Sequence, residues 1–183
     1  VTNFGNLGNV SYFLSHSFLE GETRLVSPLS TWTEQIFPTG DFDRLSFGDE
    51  KIGYAGGYGG VIIKTKDGGV NWTVVRKSVP HPTFIADPQY VSSIHALDEN
   101  RVAFTGYHQE TADLGTLTWT LDGGQTWLPT ERFENGRHLE IRFLDNKHGY
   151  IAGISFQNAG LITENGGLTK SDWRQTFLPR LRN

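Results

Sequence analysis

Carboxylates are the residues of this chain best supplied for chemistry. Cleaving a glycosidic bond needs two of them held at a set separation across a cleft. Asp41, Asp43, Glu110, Asp113, Glu131 and Glu134 are available, but no spacing singles out a pair. Asp49, Asp98 and Asp145 recur in equivalent contexts. Residues that recur in every repeat build turns, because a catalytic site occurs once. His16, His81, His95, His108, His138 and His148 are scattered, without metal-ligand spacing. Asp67-Gly68-Gly69 and Asp122-Gly123-Gly124 place glycine where a calcium loop places further ligands. The glycine run at 53–60 precedes no helical pattern, so it is not a phosphate loop. Asn9-Val10-Ser11 and Asn71-Trp72-Thr73 match the glycosylation sequon, and Asn71 falls in a tight turn. These residues assign no catalytic group, no cofactor and no metal.

Composition narrows the class. The 183 residues suffice for one domain with a real core. The 13% aromatics and 22 glycines point to short strands and tight turns. A net charge of −4, with both signs mixed along the chain, lacks the clustered basic surface that nucleic acid requires. No apolar run approaches a membrane span. There is no Cys, hence no disulfide framework. There is also no Met, and the chain begins Val1-Thr2-Asn3, as expected of a processed product or a piece of something longer.

The elements that would position any site come from an internal repeat. Phe42 to Asp49, Val91 to Asp98 and Leu139 to Asp145 each alternate apolar residues up to an Asp. Each is followed by a polar turn and a small-and-aromatic strand: Gly53 to Gly57, Val102 to Gly106, Gly149 to Gly153. A second landmark follows at Thr65-Lys-Asp67-Gly-Gly69-Val-Asn71-Trp72 and Thr120-Leu-Asp122-Gly-Gly124-Gln-Thr126-Trp127. A third, degenerate copy is Thr163-Glu-Asn165-Gly-Gly167-Leu-Thr169, with Trp173 displaced by an insertion. Trp32, Trp72, Trp127 and Trp173 lie about 40 to 55 residues apart, the period of a propeller blade. The expectation is an all-β chain, one domain over 1–183, a β-propeller of about four four-stranded antiparallel blades. Its approximate repeats are 1–38, 39–80, 88–133 and 137–180. The first is thin: Ser11 to Ser15 serves as its second strand and Thr23 to Val26 as its third. Its first strand is weak or absent, so the chain enters mid-blade.

The second landmark explains itself position by position. Asp67 and Asp122 accept N–H groups inside the turn. Gly69 and Gly124 supply a left-handed backbone. Asn71 or Thr126 bonds back across the loop, and the Trp ring packs into the seam between blades. Thr65, Trp72, Thr120, Trp127, Asn165, Gly167 and Trp173 complete the three structural sets.

These turns resemble the Asp-box (BNR) repeat. The order of motifs over residues 47–72 is similar to the photosystem II stability and assembly factor-like propellers, a family with relatives in non-photosynthetic bacteria. The likeness is close over one blade, recognisable over the next two and poor over the first. It implies a non-enzymatic propeller, typically seven-bladed, exported to a periplasm, a lumen or the outside, that binds other proteins. This chain holds only about four repeats, so it is a partial or small propeller, or part of a ring completed by further blades or a second chain. Asp boxes also occur in sialidases, xyloglucan-cleaving glycosidases and sortilin-type receptors, always as a structural device, so the box says little about chemistry. A sialidase would add an arginine triad, a Tyr–Glu pair and an acid Asp. Arg44 and Arg142 occupy similar places in their strands, but the usual Arg-Ile-Pro signature is missing. Paired or solvated edge charges are the better reading.

In an up-and-down blade the first-to-second and third-to-fourth strand turns share one face. That face carries the repeated Asp turns and the boxes. The opposite face carries the irregular loops, where function usually sits. Tyr58, Tyr107, His108, Arg132, Arg137 and Phe156 are the candidate partner-binding residues there, since aromatic and Arg side chains anchor interfaces. Tyr58 and Phe156 could equally cover the edge of the core. The function expected is partner binding or assembly. The alternatives are a carbohydrate-active module, glycosidase or lectin-like, and a structural subunit of a large complex.

Overall fold

The computed structural model describes residues 3–7, 10–17, 22–27, 33–37, 42–77, 90–107, 114–134, 139–153 and 159–177, the first four segments through their backbone pairing. They form sixteen strands in four antiparallel sheets, each a simple up-and-down run. The first blade is β1 (Asn3–Leu7), β2 (Val10–Ser17), β3 (Glu22–Ser27) and β4 (Thr33–Phe37). The second is β5 (Phe42–Phe47), β6 (Gly53–Gly57), β7 (Ile62–Thr65) and β8 (Trp72–Arg76). The third is β9 (Tyr90–Ala96), β10 (Val102–Tyr107), β11 (Leu114–Thr120) and β12 (Glu131–Glu134). The fourth is β13 (Glu140–Phe143), β14 (Gly149–Ala152), β15 (Ala159–Thr163) and β16 (Arg174–Phe177). The first strands of successive blades lie against one another, β1 on β5, β5 on β9 and β9 on β13. This is an all-β propeller. Among the described residues no helix is long and apolar enough to cross a membrane.

Two strands depart from the sequence reading. The first blade has a first strand after all: Asn3–Leu7 pairs with β2, Phe4 opposite Phe13. Asn-Phe-Gly-Asn-Leu carries little β propensity, so pairing with β2 and packing on β5 hold it where its own composition would not. The run Trp72 to Val75 leads the sequence to start each fourth strand at its box Trp, but in the third blade that strand begins at Glu131 rather than at Trp127. The Trp127 indole donates across the seam to the Val75 carbonyl at 3.3 Å, and Leu128 N donates to the Trp119 carbonyl of β11 at 2.8 Å ahead of the strand.

Alternation along the strands gives blades two and three two apolar sides. In blade two, Phe42, Ala55, Val61, Ile63 and Trp72 cluster on the side toward blade one. Tyr54 and Ile62 point the other way and meet Val91, Ile94, Val102 and Phe104 of blade three. Blade three repeats the device, with Ala103, Leu117, Trp119 and Phe133 on Leu139, Ile141, Phe143, Ile151 and Trp173 of blade four. Strands buried on both sides read as continuous apolar runs, and β6 is buried at all five positions.

Polar groups tie the seam as well. Lys64 is buried, its ammonium over the Tyr54 ring and donating to the Glu99 carbonyl at 3.1 Å and the Gly123 carbonyl at 3.3 Å. Tyr54 Oη donates to the same Glu99 carbonyl at 2.6 Å, and burial pushes its pKa up. Because the seams hold the core, Leu117→Ala, at a site with no solvent exposure, is expected to lower stability by about 2–5 kcal/mol in urea unfolding.

Candidate functional site

Two faces compete for function, and their geometry separates them. On the turn face the recurring aspartates close their own turns. One oxygen of Asp49 accepts from the N–H groups of Lys51 and Ile52, both at 2.7 Å. Asp98 does the same for Asn100 and Arg101, and Asp145 for Lys147 and His148. Each box docks on that turn through one backbone bond: Gly68 N to the Lys51 carbonyl, Gly123 N to Asn100, Gly166 N to Lys147.

Inside the first box, Asp67 accepts from Thr65 Oγ1 at 2.8 Å, from Asn71 N at 2.9 Å and from Asn71 Nδ2 at 2.7 Å. Asp122 is held the same way by Thr120 and by the N–H and hydroxyl of Thr126. Gly69 and Gly124 sit at φ 90 and 92, where a side chain would be strained. Thr65 and Thr120 also accept the N–H of these glycines, each at 2.8 Å. Trp72 Nε1 donates to the Gly69 carbonyl at 3.0 Å and Trp173 Nε1 to the Gly167 carbonyl at 2.9 Å.

The third box lacks the aspartate, and the structure shows what replaces it. The insertion is a single 3₁₀ turn, Lys170–Asp172. Asp172 accepts from Thr169 N at 2.8 Å and from Asn165 Nδ2 at 2.7 Å. The job is divided: Asn165 Oδ1 still accepts from Thr163 Oγ1 at 2.8 Å, while Asp172, seven places along the chain, accepts the N–H across the loop. The sequence signal was available: Asp172 directly precedes the displaced Trp173.

The opposite face is built differently. Tyr58 follows β6 and Tyr107 ends β10, the same position one blade apart. Tyr90, which sequence reasoning missed, joins them: it bridges Tyr58 through the backbone and pairs with Tyr107 in the ladder. The Tyr58 ring meets Tyr90 edge-on at 5.0 Å, and Tyr90 stacks on Tyr107 at 4.9 Å with only 6° between the rings. Burial, then the neighbouring Tyr58 and Tyr107, raise the Tyr90 pKa. Tyr58 remains 52% exposed. A three-ring ladder therefore crosses the seam between blades two and three. Arg132 stands apart, exposed on β12 opposite Thr116. His108, Arg137 and Phe156 lie outside the described residues, as do Asp41, Glu110 and Asp113.

Arg44 and Arg142 are not equivalent. Arg142 pairs with Tyr150, as Ser46 pairs with Tyr54, whereas Arg44 sits two residues earlier opposite Gly56. A bulge at Asp43 has its counterpart at Ser92. Bulges re-aim side chains, and Arg44 Nε donates to the Ser92 carbonyl at 2.5 Å while its guanidinium pairs with Asp43 at 2.9 Å. Arg142 donates to Ser93 Oγ at 3.1 Å and pairs with Glu140 at 2.5 Å. The two arginines sew neighbouring inner strands together from opposite sides of β9. His95, on the same rung as Arg142, is pushed down to about 4 by burial and then by that guanidinium. Among the described residues no group of three or more His, Cys, Asp or Glu could hold a metal ion.

No protein-family model matches the chain, and no curated protein matches it in sequence. Solved structures do match in fold. YCF48 bound to a D1 peptide is 16% identical with a TM-score of 0.58, over 94% of this chain and 51% of that one. YCF48 from Cyanidioschyzon merolae is 17% identical with a TM-score of 0.53, over 99% and 61%. The GH74 enzyme of Niastella koreensis is 17% identical with a TM-score of 0.59, over 92% and 28%. This chain thus has the propeller fold that these proteins share. It spans between half and two thirds of the length of the two YCF48 chains.

The turn face makes an acid-lability prediction. Hydrogen bonds from the side chain and N–H of Thr126 hold Asp122 down to about 2, and the N–H and ring of His148 do the same for Asp145. Folded values below the ordinary 3.8 mean stabilisation that is present above 3.8 and lost as pH falls toward 2. The melting temperature is expected to drop through that window, and Asp122→Asn to flatten the drop.

Proposed function

We propose that this chain is a non-enzymatic protein-binding propeller of the assembly-factor kind, working outside the cytoplasm. It engages an extended segment of a partner protein through the loop face. The observation that carries this reading is the Tyr58–Tyr90–Tyr107 ladder. Tyrosines offer large, rigid contact area with a polar tip, the favoured anchor of protein interfaces. Arg132, apart from the ladder on β12, and His108, Arg137 and Phe156, outside the described residues, are proposed as further partner contacts. Support also comes from YCF48, similar in fold and solved with a D1 peptide bound. The non-enzymatic part rests on the carboxylates. Asp49, Asp67, Asp98, Asp122 and Asp145 each accept N–H groups of their own turns, so these carboxylates are already engaged in closing structure.

A carbohydrate-binding reading has one observation in its favour, the fold shared with a GH74 enzyme, since tyrosine rings also stack on sugars. A displayed peptide library and a glycan array, each probed with wild type and with Tyr58→Ala and Tyr107→Ala, separate the two. The proposal expects peptide hits whose affinity falls at least about tenfold in both variants, the scale of an interface hot spot. Glycan binding lost in the same variants would replace it with the second reading. Peptide hits indifferent to both tyrosines would refute the assigned site.

A further inference from the structure

We infer that Asn165 is a modification site: its side-chain amide hydrolyses to a carboxylate without an enzyme, and the product unlocks the seam between blades three and four. This goes beyond the loop-face reading and stands or falls separately from it.

The box of blade four has an asparagine where the other two have aspartate, and its surroundings require one. Asp67 and Asp122 face donors: a threonine hydroxyl, an N–H across the loop and a second side-chain donor. Asn165 keeps the first of these, accepting from Thr163 Oγ1 at 2.8 Å. The N–H and hydroxyl of Thr169, at the place of Asn71 and Thr126, donate instead to Asp172, at 2.8 and 2.9 Å. Residue 165 therefore meets a carboxylate, and an ionised carboxylate only accepts. The amide nitrogen supplies the donor, Nδ2 to Asp172 at 2.7 Å. A carboxylate at position 165 would put two like charges in contact.

The next residue makes that exchange chemically accessible. Asn165 is exposed and precedes Gly166. Glycine has no Cβ to crowd its own backbone nitrogen. That nitrogen can attack the Asn165 side-chain carbonyl carbon, closing a cyclic imide while the amide nitrogen leaves as ammonia. Water then opens the ring at either carbonyl, giving aspartate or its β-linked isomer. Water is the one co-reactant, and nothing is oxidised or reduced. The folded box restrains the first step at two points. The Gly166 N–H is held by the Lys147 carbonyl at 2.9 Å, and the leaving nitrogen by Asp172. The opening of the Asp172 contact therefore sets the rate.

The consequence reaches the seam through the carbonyl of Gly167. It accepts two indoles, Trp173 Nε1 of the same blade at 2.9 Å and Trp119 Nε1 of blade three at 3.1 Å. Both indole rings meet Phe143 edge-on in the core that the two blades share. Repulsion between positions 165 and 172 displaces the loop that carries this carbonyl, and both tryptophans lose their acceptor.

The site is tested by ageing the folded chain at mildly alkaline pH and mapping its peptides by mass spectrometry. Asn135-Gly136, the other such pair in the chain, falls in a separate tryptic fragment. Aspartate and its isomer are expected to accumulate at position 165 in the wild type. They should accumulate about threefold faster or more in Asp172→Ala, held below its unfolding transition, the scale of one released hydrogen bond. Asn165→Asp mimics the product. It is expected to raise the unfolding equilibrium constant roughly three- to tenfold, the pair being exposed, and to shift tryptophan fluorescence to the red. Adding Asp172→Asn to it puts a donor and an acceptor back in contact and should restore wild-type behaviour. An aged wild type with no acid at position 165 overturns the inference. So do equal rates with and without Asp172, an Asn165→Asp chain as stable as wild type, or a double variant no better than Asn165→Asp alone.

Discussion

A blade of this chain cannot stand alone, and most of the structure follows from that. Each sheet has only four strands, and blades two and three are apolar on both sides. A lone sheet of this size would leave one or both sides in water. Stacking removes both at once, at roughly 25 cal/mol per Å² of apolar surface buried. The large residues therefore alternate between neighbours: Phe42 and Ile63 face back, Tyr54 and Ile62 face forward. The tryptophans, the small second strands and the buried lysine are all seam devices. Gly56 shows how tight the fit is, since a Cβ there would sit 3.0 Å from the Val91 side chain.

Seam packing also explains the turn face. Stacked blades must keep a common height, so each blade needs its two turns locked to one another. The single backbone bond from box to Asp turn does that in blades two, three and four. Contacts between blades then run along the same rim, from Tyr54 and Lys64 to Glu99 and from Arg101 to Asn146. The carboxylates there hold N–H groups, which is why they recur.

How much of this was legible beforehand depended on whether the cause was local. The box turns and the Asp turns were readable because one side chain closes one loop: Asp67 with Thr65 and Asn71, or Asp49 with Lys51 and Ile52. The propeller was readable because the tryptophans repeat. What was missed is non-local. β1 owes its existence to its neighbours rather than to Asn-Phe-Gly-Asn-Leu. The offset between Arg44 and Arg142 could be counted from the recurring Asp, five residues before Asp49 against three before Asp145, whereas the bulge at Asp43 is not revealed by alternation. Asp172 was passed over because its carboxylate arrives from outside the motif. Tyr58 and Tyr107 were legible as loop-face aromatics, but Tyr90, which links them, stands at the start of a first strand.

The two faces finally differ in what their groups are free to do. On the turn face, acceptors and donors are matched inside each blade or to the next, so a ligand there would have to displace existing bonds. On the loop face, among the described residues, the ends of β6, β9 and β10 deliver aromatic rings. Tyr58 and Tyr107 occupy equivalent places in adjacent blades, yet they form a ladder only because Tyr90 of the intervening first strand fits between them. A repeat fold makes such near-symmetric groups easily, and one unrepeated residue turns them into a single site. On the proposed reading, stability in this scaffold is periodic and recognition is not.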